Sequence, residues 1–385
     1  FQRNLYAGYA FAPSAARARP FIFLAITFLA VYYKNRRLRW TIRRVAPLFV
    51  LSFSYSGVEF MIRPRIFVPR TVVPEALELL QTRCDVEMGP GGGLPHEKLV
   101  EAVRGCDGVL SPVVALPADV IDAMAPTCKI ISCFGVGFDH VDIAAATRNG
   151  IWVTHNPGFV TDDTADMAFA LMLGVARKLR ACDTFVRSGE RPWPMTVNLG
   201  LRVSGKTLGL VGSGRIAQAV AARAAGFGMS LLYTARHRNE NFEASTGARY
   251  VSKDDLLRLS DFVSLHMPLT PETEKYIGSR ELELMQPHAI LINTARGKVV
   301  DEAALASALK NGVIAGAGLD VFENEPLVLP ALCDLPNVLM TPHKGAATMD
   351  GFRNMGRSSA EKIFAALDGK LPTNCLNPEA RQVSN

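Results

Sequence analysis

The sequence predicts an α/β protein of two doubly wound parallel sheets with a cleft between them, and three observations predict it. From Arg65 the chain alternates short β-branched runs with helical stretches, the pattern of a parallel sheet covered by helices. A second, more regular alternation starts at Thr207. The turn Gly212-Ser213-Gly214 joins its first strand to its first helix, the point at which a doubly wound domain meets a ligand. The 385 residues, 49% hydrophobic and 20% charged, allow two or three domains that each bury a core.

In the first series Ile66-Phe67-Val68 reads as a strand and 74–81 as a helix. Strand 85–88, loop 88–93, helix 95–103, strand 108–110, helix 118–124 and strand 129–132 follow. The stretch 162–179 is long, rich in Ala, Met and Leu, and apolar around most of its girth, so it reads as one helix buried between domains or subunits. The second series has strands at 207–211, 230–233, 262–265, 289–293, 317–321 and 338–340. Helices at 216–226, 253–259, 279–285 and 302–311 lie between them. A last helix, 347–367, follows the second series and can return to the first.

The formal charge of +6 suggests a polyanion partner until it is located. Residues 1–60 hold nine Lys/Arg against Glu59 alone, a net of +8, and the remainder has 33 basic and 35 acidic residues. The body therefore carries no electrostatic signature for nucleic acid. Within the first sixty residues, 21–33 is a mostly apolar run, shorter than the roughly 18–20 residues that span a bilayer. It is followed by Lys34, Arg36, Arg37, Arg39, Arg43 and Arg44. Three readings of this leader compete: a non-native or over-extended start, an Arg-rich targeting segment, and a marginal membrane anchor. The body, 61–385, is expected to need no membrane, and removal of 1–60 is expected to leave soluble, active protein. The seven cysteines are odd in number and scattered without a C-x-x-C pair. No disulfide framework or metal site is readable from them, which fits a cytoplasmic chain with small reduced core thiols.

Gly212-Ser213-Gly214-Arg215-Ile216-Ala217 is the G-x-G-x-x-A form of the nucleotide fingerprint. Its first Gly allows the tight turn and its second lets backbone approach a pyrophosphate. Ala217 permits close helix–strand packing, and the helix N-terminus supplies N–H donors. The expected domains are thus Rossmann/flavodoxin-like. About 20 residues beyond the first Gly, an NAD site places a carboxylate on the ribose 2′-OH. The chain instead reads Tyr233-Thr234-Ala235-Arg236-His237-Arg238, with no acid before Glu240. Arg236 and Arg238 suit a 2′-phosphate, so NADPH is expected over NADH. A solvated basic turn in an NAD enzyme is the alternative.

Three further residues follow strands of the second series: Arg296, Glu325 and His343. In an open parallel sheet the ligand crevice lies beyond the carboxyl ends of the strands, so all three can face one cleft. The set suits reduction of a 2-oxo acid. His343 can protonate the carbonyl oxygen, Glu325 can orient the imidazole and favour its charged form, and Arg296 can bind the carboxylate and polarise the carbonyl. Taken singly, each is as readily a structural or surface residue.

The segments 208–217, Asn293-Thr294-Ala295-Arg296-Gly297, 318–326 and Thr341-Pro342-His343 carry a resemblance. On them the body, from Met61 to about Leu376, resembles the D-isomer-specific 2-hydroxyacid dehydrogenase family. The resemblance implies Arg296, Glu325 and His343 as the catalytic set. It implies that Asp320 meets the nicotinamide carboxamide and that Thr164 lies near the cofactor. It also implies that the Val136-Gly137 backbone, within 134–139, helps hold the substrate carboxylate. The expected cofactor contacts are therefore Thr164, Gly212, Ser213, Gly214, Arg215, Ile216, Ala235, Arg236, Arg238, Thr294 and Asp320. The implied architecture is a substrate domain of 61–158 and 344–376 around a dinucleotide-binding domain of 159–343. Residues 377–385 are left as a tail, and a homodimer through the region of the 162–179 helix is expected. Within the family the Tyr233 to Arg236 stretch is similar to NADPH-using glyoxylate/hydroxypyruvate reductases. Lys344-Gly345-Ala346-Ala347 departs from the usual pattern after the histidine. Lys344 there either faces solvent or acts on His343 or on an acidic substrate.

The function expected is thus NADPH-dependent reduction of glyoxylate or hydroxypyruvate to the D-2-hydroxy acid, with no metal. The alternatives are a reductase of a bulkier 2-oxo acid and a corepressor-like module that binds the dinucleotide as a signal.

Overall fold

The computed structural model describes residues 63–381, so the three readings of residues 1–60 lie outside the described residues. The first sheet is formed by β1 (Arg65–Val68), β2 (Asp85–Met88), β3 (Gly108–Ser111), β4 (Ile130–Cys133) and β5 (Trp152–Thr154). The order is β2-β1-β3-β4-β5, with every pair parallel. Crossovers are α1 (Pro74–Gln81), α2 (His96–Ala102), α3 (Ala118–Met124) and α4 (Ile143–Arg148). Strand alternation sends Phe67, Val109, Ile131 and Val153 to one face, where they join Leu99, Val120 and Ala145. Ile66, Leu110, Ile130 and Trp152 go to the other. Both faces are covered, as a parallel sheet requires.

After α5 (Thr161–Ala176) and α6 (Leu179–Ser188), a second all-parallel sheet begins. Its strands are β6 (Thr207–Val211), β7 (Ser230–Thr234), β8 (Arg249–Tyr250), β9 (Phe262–Leu265), β10 (Ile290–Asn293), β11 (Gly316–Leu319) and β12 (Val338–Met340). The order is β12-β11-β10-β9-β6-β7-β8, which reverses at β6/β9. Its crossovers are α7 (Arg215–Gly226), α8 (Glu240–Thr246), α9 (Lys253–Leu259), α10 (Ser279–Leu284), α11 (Glu302–Lys310) and the short α12 (Pro330–Cys333). The closing helix α13 (Met349–Leu367) packs on α1 and β4, burying Met355, Ala360, Ile363 and Ala366 against the first sheet.

Two expectations are corrected. The helix expected over 162–179 is α5 and ends at Ala176, because the Ala176 carbonyl accepts the Leu201 N–H at 2.7 Å and Lys178 turns left-handed at φ 51°, after which α6 starts at Leu179. α5 packs against α7 and the second sheet. The expected tail begins too early, because Asn377 is fully buried. Its Oδ1 accepts from Val153 N at 2.7 Å, and its Nδ2 donates to Ile151 O and Thr147 Oγ1. All seven cysteines are unpaired, and Cys84, Cys106, Cys128 and Cys133 are buried. No helix among the described residues is long and apolar enough to cross a membrane.

Candidate functional site

The turn after β6 has the shape its glycines predict. Gly212 adopts φ 113° and donates its N–H to Thr234 O at 2.8 Å. A Cβ at Gly212 would strike the His266 carbonyl, so no larger residue fits. Gly214 caps α7, and a Cβ there would meet only open space. The first N–H groups of a twelve-residue helix thus face an open cradle. Asn239 donates from Nδ2 to Ser213 O and Oγ at 3.4 and 3.3 Å, which ties down the loop residue between the two glycines. The Thr294 Oγ1, at the end of β10, is buried without a partner. An open cradle at a helix N-terminus and an orphaned hydroxyl near the strand ends fit a bound dinucleotide.

Beyond β7 the two arginines part company. Arg238 forks onto Glu243, Nε to Oε1 and Nη2 to Oε2, both at 2.8 Å. Glu243 also accepts the Tyr233 hydroxyl at 2.6 Å, and these two donors hold its carboxyl down to about 2. The two arginines expected at a phosphate thus stand in different surroundings. Arg238 has a carboxylate of its own, supplied by a helix residue five positions on. Arg236 is exposed and has no carboxylate partner among the described residues.

At the other strand ends, the buried Asp320 organises the segment after β12. Its Oδ1 accepts from Thr341 Oγ1 and from Lys344 N at 2.7 Å, and its Oδ2 accepts from Gly345 N at 2.6 Å. Its backbone carbonyl accepts His343 N at 2.8 Å. This clamp holds His343 in the left-handed region at φ 52°, a conformation a non-glycine residue adopts only under such restraint. A Cβ at Gly345 would touch both Asp320 and Thr164, so the buried Thr164 of α5 closes the same corner. The His343 Nδ1 lies 2.8 Å from Glu325 Oε2, and Glu325 Oε1 accepts Phe322 N at 3.0 Å. Burial pushes the Glu325 carboxyl up, but the hydrogen bond and charge of His343, the Phe322 N–H and the charge of Arg296 together bring it below the usual carboxylate range. Glu325, His343 and Arg296 therefore lie within electrostatic reach of one another. Lys344 is exposed.

Arg296 follows β10 on a turn that Asn293 builds, accepting from Ala295 N and donating to Arg296 O. Its guanidinium crosses to the loop after β4. Nε and Nη2 both approach Asp139 Oδ1 at 2.9 Å, and Nη1 donates to Ala295 O at 2.7 Å. A Cβ at Gly137 would fall inside the guanidinium. The loop is held from behind, where Asn156 N donates to Gly135 O and His155 Nδ1 lies 2.9 Å from Val136 O. Lys362 of α13, buried and without an acidic partner among the described residues, donates to His155 O at 2.6 Å and to Asn156 Oδ1, and burial lowers its ammonium to about 8. Among the described residues, no protein acceptor takes the N–H of Val136 or Gly137. Two free amides beside a guanidinium make an anion site.

The structure thus brings Arg296, Glu325, His343, Val136 and Gly137 to one cleft and joins Asp320 and Thr164 beside it. Sequence reading missed Asp139, Asn156, Asn293 and Lys362. Asp139 and Asn293 lie within segments it used, whereas Asn156 lies outside them and Lys362 left no signal beyond a charge on an amphipathic helix.

A dinucleotide cradle and an acid–base pair with a guanidinium, all at strand ends, define a nicotinamide-dependent oxidoreductase. Residues 169–345 match the model of the D-isomer specific 2-hydroxyacid dehydrogenase NAD-binding domain. The glyoxylate reductase of Thermococcus litoralis is 45% identical over 323 residues, spanning 82% of this chain and 98% of that protein. A Thermus thermophilus protein of known structure is 42% identical with a TM-score of 0.76, over 81% of this chain and 99% of that one. A Sinorhizobium meliloti NADPH-dependent glyoxylate/hydroxypyruvate reductase, solved with NADP and malonate, is 34% identical with a TM-score of 0.73, over 84% and 99%. The chain belongs to the D-isomer-specific 2-hydroxyacid dehydrogenase family. Its reaction class is NAD(P)H-dependent reduction of a 2-oxo acid.

Proposed function

We propose that the protein reduces glyoxylate or hydroxypyruvate with NADPH, giving the D-2-hydroxy acid where the product is chiral. The observation that carries this reading is the His343–Glu325 pair, set on the same cleft as Arg296 and the free Val136 and Gly137 amides. A reduced nicotinamide dinucleotide, when bound, supplies a hydride to the carbonyl carbon. Gly212, Ser213, Gly214, Arg215 and Ile216 take its pyrophosphate, Thr294, Thr164 and Asp320 flank its nicotinamide end, and Ala235 and Arg236 meet its 2′-phosphate.

The substrate carboxylate lies between the Arg296 guanidinium and the loop amides, which fixes the carbonyl within reach of His343. Nε2 of His343 passes a proton to the carbonyl oxygen as charge develops there, while Nδ1–H stays on Glu325. Glu325 keeps the ring oriented and remains anionic throughout. Arg296 also polarises the carbonyl.

The same reading assigns 61–158 and 344–376 to the substrate domain and 159–343 to the dinucleotide domain, which the packing of α13 on the first sheet supports. It includes a homodimer, supported by an apolar strip of exposed Leu179, Val186, Trp193, Met195 and Leu199 on and after α6. Unpaired cysteines support a cytoplasmic setting.

The test is dinucleotide oxidation with a panel of 2-oxo acids. Turnover of glyoxylate or hydroxypyruvate, with kcat/KM about tenfold or more higher for NADPH than NADH, is the expected result. Preference for bulky 2-oxo acids would reassign the substrate. Tight dinucleotide binding without turnover of any member would favour the signalling module. Light scattering of the purified protein tests the dimer, and a monomer at micromolar concentration removes it.

A further inference from the structure

We propose that Asp139 is a positioning residue for Arg296, one that sets which edge of the guanidinium meets the substrate. The proposal rests on the reading of Arg296 as the carboxylate-binding group and assigns a role to a residue outside that reading.

A guanidinium has five N–H bonds in a rigid plane and can grip a carboxylate by its side edge, Nε with Nη2, or by its end edge, Nη1 with Nη2. Here Nε and Nη2 both close on one oxygen, Asp139 Oδ1, at 2.9 Å. Nη1 gives one hydrogen to Ala295 O. One N–H on each Nη is left, and that of Nη2 lies along the end edge, away from Asp139. Arg296 is thus held from one side by a carboxylate on the first sheet's loop and from its own backbone by Ala295. Two restraints on a planar group fix its plane, which a single contact does not.

The neighbourhood explains why such a brace is needed. Arg296 and Asp139 are 157 positions apart and belong to loops of different sheets, so no local turn sets their distance. Arg296 occupies the space a side chain at Gly137 would fill, directly beside the unpaired amides of Val136 and Gly137. A guanidinium free to swing would leave those amides without their cationic partner. Burial raises the Asp139 carboxyl, but the hydrogen bond and charge of Arg296 bring it below its ordinary range. The charged carboxylate is thus the form that Arg296 favours.

The brace also has a cost, because Asp139 is a negative charge near the site of an incoming carboxylate. Oxygen-to-edge geometry decides which effect wins. With Asp139 on the side edge, the end edge remains available and the net result is stronger carboxylate binding. Were Asp139 on the end edge, it would compete with substrate.

The experiment compares Asp139→Ala, Asp139→Asn and Arg296→Ala with the unaltered protein. Steady-state kinetics with glyoxylate and NADPH is paired with calorimetric binding of oxalate in the presence of NADP. Asp139→Ala is expected to raise KM for glyoxylate and weaken oxalate roughly tenfold or more, with KM for NADPH and Tm unchanged. Asp139→Asn, which keeps an amide oxygen for Nε–H, is expected to restore most of the loss. An unchanged or lowered KM in Asp139→Ala overturns the proposal, the lowered case meaning that Asp139 competes with substrate. Parallel loss of Tm and NADPH binding would make the role merely structural and overturn it too. Arg296→Ala separates the two levels. If it leaves KM and oxalate binding intact, the carboxylate reading itself fails; if it weakens both while Asp139→Ala does not, only the proposal fails. Should glyoxylate not be turned over at all, oxalate binding still reads both residues, and no oxalate binding by the unaltered protein removes both.

Discussion

Nδ1 of His343 lies 2.8 Å from Oε2 of Glu325, and the second oxygen of that carboxylate is itself held by the Phe322 N–H at 3.0 Å. The imidazole is therefore oriented by a group that cannot rotate away. His343→Ala is expected to lower kcat by about 10²–10⁴, the usual worth of a positioned proton donor, with little change in dinucleotide affinity. Glu325→Gln keeps an acceptor and is expected to cost less, roughly 10–100-fold. Steady-state kinetics checks both, and an unimpaired His343→Ala enzyme would remove the histidine from the chemistry.

The arginines after β7 make a paired prediction. Arg236 has no carboxylate partner among the described residues, whereas Arg238 is forked on Glu243. Arg236→Ala is expected to raise KM for NADPH about tenfold or more and leave KM for NADH nearly unchanged, because only the former carries the 2′-phosphate. Arg238→Ala is expected to change the NADPH/NADH ratio much less. Comparable losses of the ratio in both variants would return the phosphate to a shared site.

These two cases show what was legible in the sequence and what was not. Most strands were legible as hydrophobic runs between turns, because parallel strands buried on both faces read as continuous apolar segments, whereas their order within each sheet was not. The short β8, with both its residues exposed, and the three-residue β5 have too little pattern to stand out. Arg296, Glu325 and His343 were legible because each follows a strand. The use made of Arg238 was not, since Glu243 meets it only once α8 folds back across β7. Asn377 looked like tail for a similar reason. Its worth lies in three partners more than 200 residues away in sequence. The left-handed turn at His343 likewise depends on Asp320, from another strand.

Stability should fall on mild acidification. Burial lowers both His140 and His266 to about 4 from an ordinary 6.5. Both are neutral in the native protein through a range where the unfolded chain is protonated. The unfolded state then binds more protons, so stability decreases as pH falls from about 6.5 toward 4, by roughly 1–3 kcal/mol per histidine. His266→Gln, which can still meet Ser264, should flatten this dependence. Tm measured at pH 7 and pH 4.5 for both proteins checks it, and equal drops would contradict the assignment to His266.

Gly137 offers the sharpest separation of site from scaffold. Its backbone does not lie in the left-handed region, so alanine is allowed there by conformation alone. What forbids it is Arg296, whose guanidinium occupies the place of a Cβ. That guanidinium is at the cleft and outside the apolar core, so it can move aside without opening a cavity. Gly137→Ala is therefore expected to leave Tm within a few degrees and dinucleotide affinity unchanged. Displacing Arg296 breaks its hold on Asp139 and moves it away from the free amides, so kcat/KM for the 2-oxo acid is expected to fall about 100-fold or more. Thermal melts, dinucleotide titration and steady-state kinetics on one preparation read all three. A folded, dinucleotide-binding Gly137→Ala protein with undiminished kcat/KM would mean that the carboxylate binds elsewhere in the cleft.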